Sequence, residues 1–331
     1  MNKKINTISD EWFKATIDKN QLKKLSKRSN LPGFRHIIIY FSSLFISAYL
    51  SYYTWGSWWS IFWLWIYGII FYASNPIWHE AGHKTAFKSN YLNNFFYHIG
   101  SFMANFEPTR WRWTHFRHHS NTLFTKDPYD FEIEITKPTD LLFFITRLIP
   151  GGNVLFFHKS PVFETMKHAF GITTDVMEES IPDKEKSKCR FVSRIHVLIW
   201  ISTIISSIVL QSWLPLLYFL LPGWYGNTLF ELCGVTQHAG LRNDIKDHRY
   251  STRTVYLNPI FSFLYWHMEY HIEHHMFPTV PSYNLPKLHT MIKDQTPPAK
   301  KGLWGAYSEI IPAIIKQSKD PNYKISLSVP N

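Results

Sequence analysis

The chemistry of this sequence is concentrated in its histidines. The 331-residue chain carries 17 of them, and eight fall into three tight clusters. His79 and His83 form an HxxxH within WHEAGH. His115, His118 and His119 form an HxxHH within WTHFRHHSNT, and His271, His274 and His275 form another within YHIEHHMFP. Residues three and four apart share one face of a helix, so each cluster can turn its imidazoles to a common metal site. His238, in CGVTQHAG, is a ninth candidate. His98, His158, His168, His196, His248 and His289 read as ordinary surface or core positions, while His267, four residues before His271, is open to either reading. A structural zinc takes four ligands and a catalytic zinc three from the protein. Eight or nine neutral nitrogens instead suit two metals with four or five each. Imidazole serves iron, zinc, copper and nickel alike. A position beside a membrane favours iron, because an oxidant held at the bilayer surface can attack a hydrocarbon C–H bond. Glu80 and Glu273, inside the clusters, are read as acceptors for ligand N–H groups rather than as ligands.

The elements that position these residues follow from charge and hydropathy. No Asp, Glu, Lys or Arg occurs from Ile37 to Trp78, enough for two crossings of about 20 residues each. Thr54, Trp55, Gly56 and Ser57 supply a turn between them, and Trp55, Trp58 and Trp59 suit a membrane interface. A second uncharged stretch runs from Ile195 to Phe230, interrupted at Ser212–Pro215, and predicts a second hairpin whose later arm is bent by Pro222 and Gly223. The first 35 residues are polar and basic, with Lys3, Lys4 and Lys14 among them, and contain no apolar run of a cleaved signal peptide. A basic N-terminus belongs on the cytoplasmic side. Two hairpins then return residues 79–194 and 231–331 to that side, and every histidine cluster lies in those two regions. Leu92–Ala104 and Leu141–Ile149 are too short to span, and residues 175–190 read as a charged, solvated loop. The expected architecture is a single all-α membrane domain over 1–331. It has a cytoplasmic segment (1–35), hairpins at 37–78 and 195–230, and a helical cap made of 79–194 and 231–331.

Composition narrows the function. Aromatic residues make up 18% of the chain and the net charge is +11. The mean hydropathy of −0.17 fits a few spans attached to a large polar part. A basic surface suits anionic lipid or an acidic protein partner. No helix-turn-helix, zinc-finger or RNA-binding signature points to nucleic acid. Two cysteines, Cys189 and Cys233, cannot form a four-thiolate metal site or a secreted disulfide framework.

The three clusters and their surroundings resemble the membrane fatty-acid desaturase and hydroxylase superfamily, from about Ile37 to Asp320. HEAGH is similar to its first histidine box, HFRHH to its second and HIEHH to its third. EHHMFPTVPSYNLPKLH resembles the segment after the third box in bacterial desaturase-like proteins, a group that includes the oxygenase of rhizopine catabolism. CGVTQHAG resembles an additional ligand-bearing segment, which brings in His238. The resemblance implies four spans under a cytoplasmic cap, with a di-iron centre at their junction held by His79, His83, His115, His118, His119, His238, His271, His274 and His275. Many relatives carry NMNYH before the third box. Here His267 and Glu269 replace two asparagines, so they join Glu80, Glu273 and Gln237 as residues expected around the ligands.

The expected activity is an oxygen-dependent oxidation of an unactivated C–H bond, either desaturation or hydroxylation of a fatty acyl or lipid substrate. Hydroxylation of a methyl on oxygen or nitrogen of a small polar compound would give demethylation. Arg110, Arg112 and Asn227 are candidates for holding a polar headgroup. No separate acid or base is assigned. A zinc protease using His79-Glu80-x-x-His83 is the competing enzyme class, but leaves both HxxHH clusters unexplained. A transporter would place polar groups at mid-membrane, and here the histidines lie outside the uncharged cores. Each turnover needs two electrons, and the chain shows no dinucleotide fingerprint. A separate ferredoxin, Rieske-type by the resemblance, or a rubredoxin, with a reductase drawing on NADH or NADPH, is therefore expected. Lys84, Lys88, Arg117, Lys126, Lys287, Lys293, Lys300 and Lys301 are candidates for docking it. The location expected is the bacterial inner membrane, with the site facing the cytoplasm.

Overall fold

The computed structural model describes residues 11–132, 138–149 and 151–330; Lys3 and Lys4 lie outside them. Helix α1 (Lys19–Leu25) starts where the Asp18 carboxylate accepts the Gln21 N–H at 2.9 Å. Helix α2 (Asn30–Tyr53) is capped by the Ser29 hydroxyl. It pairs with α3 (Trp58–Tyr72) across a turn in which Gly56 takes φ 85°. Helix α3 runs on through Ala73 into α4 (Ser74–Gly82), so the first histidine cluster rides on the end of the second apolar helix. Ile38, Phe45, Ile46 and Tyr49 of α2 and Trp58, Trp59 and Ile61 of α3 are exposed. So much apolar surface on one hairpin is what contact with lipid requires.

The cap begins with α5 (Asn90–Met103), which packs along α4, and α6 (Pro108–Ser120). Glu107 caps α6 by accepting the Thr109 and Arg110 N–H groups, and Pro108 occupies its first turn. Helices α7 (Pro138–Leu148), α8 (Pro161–Ala169) and α9 (Asp175–Ser180) lead to α10 (Asp183–Val209). Here the expected loop over 175–190 is corrected: it forms α9 and the first turns of α10. Asp183 and Glu185 sit in the first turn of α10, where carboxylates favour the helix dipole, and Lys186 bridges to Asp183 at 2.8 Å. Charge in this stretch starts a helix rather than preventing one.

Among the described residues, three helices are long and apolar enough to cross a membrane: Asn30–Tyr53, Trp58–Gly82 and Asp183–Val209. The later arm of the second hairpin is not one continuous helix. It is a π-helical turn at Leu216–Leu220, a short α11 (Pro222–Tyr225) and α12 (Thr228–His238). Pro222, which has no N–H to donate, starts a new helical segment. The arm still packs closely on α3: Tyr67 Oη donates to Tyr218 O at 2.8 Å, and Gly226 lies directly against Gly68.

The rest of the cap is short elements followed by one longer helix: α13 (His248–Ser251), strand β1 (Val255–Tyr256), α14 (Pro259–Leu264), α15 (His271–Met276), α16 (Leu285–Ile292), strand β2 (Lys300–Lys301) and then α17 (Gly302–Gln317). β1 and β2 pair in parallel. One core, around Tyr40, Trp78, Tyr97 and Phe106, joins the spans to the cap. Another, around Ile272, Leu285 and Leu288, backs α15. The N-terminal segment crosses the cap as a strap. Phe13 N donates to Lys246 O at 3.1 Å, the Arg249 guanidinium lies 3.3 Å over the Phe13 ring, and Trp12 stacks on His248 at 4.1 Å.

Candidate metal centre

Four helices deliver the nine imidazoles. His79 is on the last turn of α4 and His83 ends that helix. His115, His118 and His119 occupy the last turns of α6, His238 ends α12, and α15 carries His271, His274 and His275. They gather in two groups. His79, His83, His115, His119 and His274 form one; His118, His238, His271 and His275 form the other, with the ligand-capable atoms of each group within 4.8 Å of one another. Helical spacing explains the division. In α6 the i, i+4 pair His115 and His119 serves the first group and His118 the second. In α15 the i, i+4 pair His271 and His275 serves the second group and His274 the first.

The partners that orient these rings differ from those expected. His115 Nδ1 donates to Glu132 Oε2 at 2.9 Å and His118 Nδ1 to Asp130 Oδ2 at 2.8 Å. His238 Nδ1 donates to Ser251 O at 2.8 Å. The Thr122 hydroxyl donates to His118 O and accepts from His275 Nδ1 at 3.2 Å. With Nδ1 engaged, Nε2 is the nitrogen left to face a metal. Asp130 and Glu132 were missed in the sequence, although both follow the second cluster closely. The hydrogen bonds of Glu80 and Glu273 run to groups other than the ligand rings. Glu80 Oε1 accepts from Ser282 N at 2.9 Å. Glu273 accepts from Thr254 Oγ1 at 2.7 Å and from His289 Nδ1 at 2.6 Å, so it braces α15 from behind. Glu269 bonds to the Ser262 hydroxyl, which also contacts His267 Nδ1, and Gln237 donates to Met268 O at 3.4 Å. His248, read as an ordinary position, lies against ligand candidate His275 with ring centres 4.9 Å apart.

The donor set fits metal ions. Nε2–Nε2 distances are 2.9 Å for His83–His115 and 3.1 Å for His115–His119, His119–His274, His238–His271 and His271–His275. These contacts cannot all be hydrogen bonds, because each nitrogen carries either a proton or a lone pair. His79 has both ring nitrogens buried without a partner, a costly state unless something else binds them. Nitrogens about 2.1 Å from a metal stand about 3.0 Å apart at right angles and about 3.4 Å apart in a tetrahedron. The spacing here is in the range of nitrogens that share one ion. Burial, and then the neighbouring imidazoles, hold His119, His271, His274 and His275 well below the usual histidine range, and His238 is lowered to about 3. These rings are neutral and ready to ligate. Burial also disfavours charge on His118, but Asp130 and Glu132 outweigh it and raise that ring.

Both groups open onto one cavity of about 200 Å³. His79 and His115 of the first group and His118, His238 and His271 of the second line it, beside Trp78, Phe106 and Trp111. On another part of its wall Arg147 Nη2 donates to Glu231 Oε1 at 2.5 Å. The headgroup candidates lie elsewhere. Arg110 pairs with Glu164 at 2.9 Å and stacks on Trp111, Arg112 lies over Tyr97, and Asn227 is buried.

Apolar helices carrying two convergent groups of imidazoles define a helical membrane protein with a histidine-built metal site. The fatty acid desaturase family model matches residues 53–307, and the chain belongs to that family. No curated protein matches it. Family and site together make it an oxidoreductase, and its histidine groups fit the di-iron centre of a desaturase or hydroxylase.

Proposed function

We propose that this protein uses dioxygen to oxidise an unactivated C–H bond at two irons, one held by His79, His83, His115, His119 and His274, the other by His118, His238, His271 and His275. The observation carrying this reading is that both groups face a single aromatic-lined cavity. Bound there, the irons would supply the oxidising power, with two electrons delivered per turnover by a ferredoxin or rubredoxin drawing on NADH or NADPH. The chain's own part is to gather the rings, orient them through Asp130, Glu132, Ser251 and Thr122, and present the substrate away from water. The zinc-protease alternative accounts for neither the five-histidine group nor the engagement of Glu80 by Ser282.

In this reading the broken later arm completes a fourth crossing, and the cap lies on the cytoplasmic face of a bacterial inner membrane. Two substrates suit the chemistry: an acyl or lipid chain, and a small polar methylated compound whose hydroxylated methyl is lost. The test is metal analysis of the purified protein, with about two irons per chain expected. His274→Ala and His118→Ala, one from each group, should each fall clearly below that while still inserting in the membrane. Full iron occupancy in both variants would sink the assignment.

A further inference from the structure

We infer that Gly234 is the opening through which small molecules in the cavity reach the four-histidine group, and that it stands where His238 would otherwise have a partner ligand. This rests on the reading of the two groups as metal positions. The groups are assembled from the same parts, apart from one place. The five-histidine group has two i, i+4 pairs, His79 with His83 and His115 with His119, together with the single His274. The four-histidine group has one such pair, His271 with His275, and the singles His118 and His238. The residue four before His238 on α12 is Gly234. A side chain there would share the helix face that carries His238, and both residues line the larger cavity. Of the four helices that deliver imidazoles, α12 alone brings a single one, and a glycine holds the place of its second.

The local fold does not call for glycine at this point. Gly234 lies inside α12 and does not take a left-handed backbone. A Cβ added to it would meet Tyr265 Oη at 3.8 Å and the Phe230 ring at 3.9 and 4.0 Å, which is ordinary van der Waals contact. Gly226, on the same arm, is different, because its backbone lies against that of Gly68. Glycine inside a helix weakens it relative to alanine, so Gly234 costs the fold stability and contributes no close packing. What it contributes is space. Phe230 and Tyr265 line the same cavity, so the room left by the missing side chain belongs to that cavity. A catalytic metal site keeps a position open, where a structural one closes it with protein ligands. With one donor fewer than its neighbour, the four-histidine group is the one left open, and it opens toward the cavity.

The test uses the full chain purified in detergent, with cobalt(II) as the probe ion, since imidazole nitrogens hold it and its visible spectrum reports its ligands. In competition with a chelator, Gly234→His should hold one of two cobalt ions at least about tenfold more tightly than the wild-type chain, while Gly234→Ala holds both as the wild type does. Azide, a small linear anion, should change the visible spectrum of the cobalt-loaded wild type and of Gly234→Ala. It should bind Gly234→His at least about tenfold more weakly. A merely structural glycine would give neither shift. Unaltered cobalt retention or unaltered azide binding in Gly234→His would overturn the inference, as would a wild-type chain that binds no azide. Gly234→Cys carries the test if the larger histidine disturbs folding. Without metal its thiol should react with methyl methanethiosulfonate at least about tenfold faster than Cys189 and Cys233, which are 0% and 1% exposed, and cobalt(II) should shield it. A thiol that does not react, or that reacts equally with cobalt bound, would also overturn the inference. Iron is measured in the protein as isolated. A chain that gives the expected cobalt and azide results but neither carries nor takes up iron would sink the di-iron reading and leave the opening at Gly234 supported. A chain isolated with two irons whose Gly234→His variant matches the wild type would do the reverse.

Discussion

Asp130 and Glu132 show how far individual residues here act through others. Each carboxylate holds the Nδ1 proton of a histidine, His118 in one group and His115 in the other. Asp130 also accepts the Leu123 N–H at 2.9 Å, which ties the ring's position to the turn after α6. Removing such an acceptor typically weakens a metal site about 10–100-fold. Asp130→Asn should therefore weaken the group containing His118, and Glu132→Gln the group containing His115, as read by competition with a chelator. Unchanged affinity in both would show that these bonds are incidental. That eight of the histidines form three ligand clusters was legible in spacing, because three- and four-residue intervals fix a helical face, whereas His238 came in through the family resemblance. The division of the nine into five and four was not legible, since it depends on how α6 and α15 cross. The orienting carboxylates were equally hidden: Glu80 and Glu273 sit inside the clusters, yet helical geometry turns them to Ser282 and to Thr254 and His289.

At the scale of elements, the apolar helices were the most readable part. A long uncharged run has few alternatives to a spanning hairpin, and α2 and α3 follow it closely. The second hairpin was harder. Its first helix begins at Asp183, inside a charged stretch, and its later arm is divided at Leu221. The contact of that arm with α3 depends on two glycines. A Cβ placed on Gly226 would lie 1.9 Å from the Gly68 carbonyl carbon and 2.1 Å from its oxygen. Backbone cannot yield as a flexible side chain can, so Gly226→Ala should push the arm away from α3. The expected loss is about 1–3 kcal/mol or more, seen as a lower thermal midpoint in detergent. Gly234→Ala is the control, because its nearest neighbour would be 3.8 Å away. Equal midpoints for the two variants would show that the close contact is not needed.

For the whole molecule, the buried imidazoles tie stability to pH. His119, His271, His274 and His275 are kept neutral by burial, well below the 6.5 of an ordinary histidine. Unfolding releases them to titrate near that value. Above pH 6.5 both states are neutral and the fold keeps its full stability; below it the unfolded chain takes up protons that the fold refuses. Metal-free protein should lose thermal stability steadily from pH 7 to pH 5, and bound metal should blunt the loss by holding the same nitrogens. A flat profile for the metal-free protein would contradict this. The overall plan of spans plus a histidine-bearing cap could be read from the sequence. The strap of residues 12–17 could not, because its contacts with Lys246, His248 and Arg249 join parts of the chain that no local pattern relates.

The spread of the histidines along the chain also sets a timetable. His79 and His275 are the first and last of the nine in the chain, and about three-fifths of the sequence separates them. At about 5–20 residues per second, a ribosome needs on the order of ten to forty seconds to travel from one to the other. Until the end of that time the first group lacks His274 and the second lacks His271 and His275. Neither metal position is complete until α15 has emerged, so the nascent chain must insert and pass the crossings first and take up its ions last.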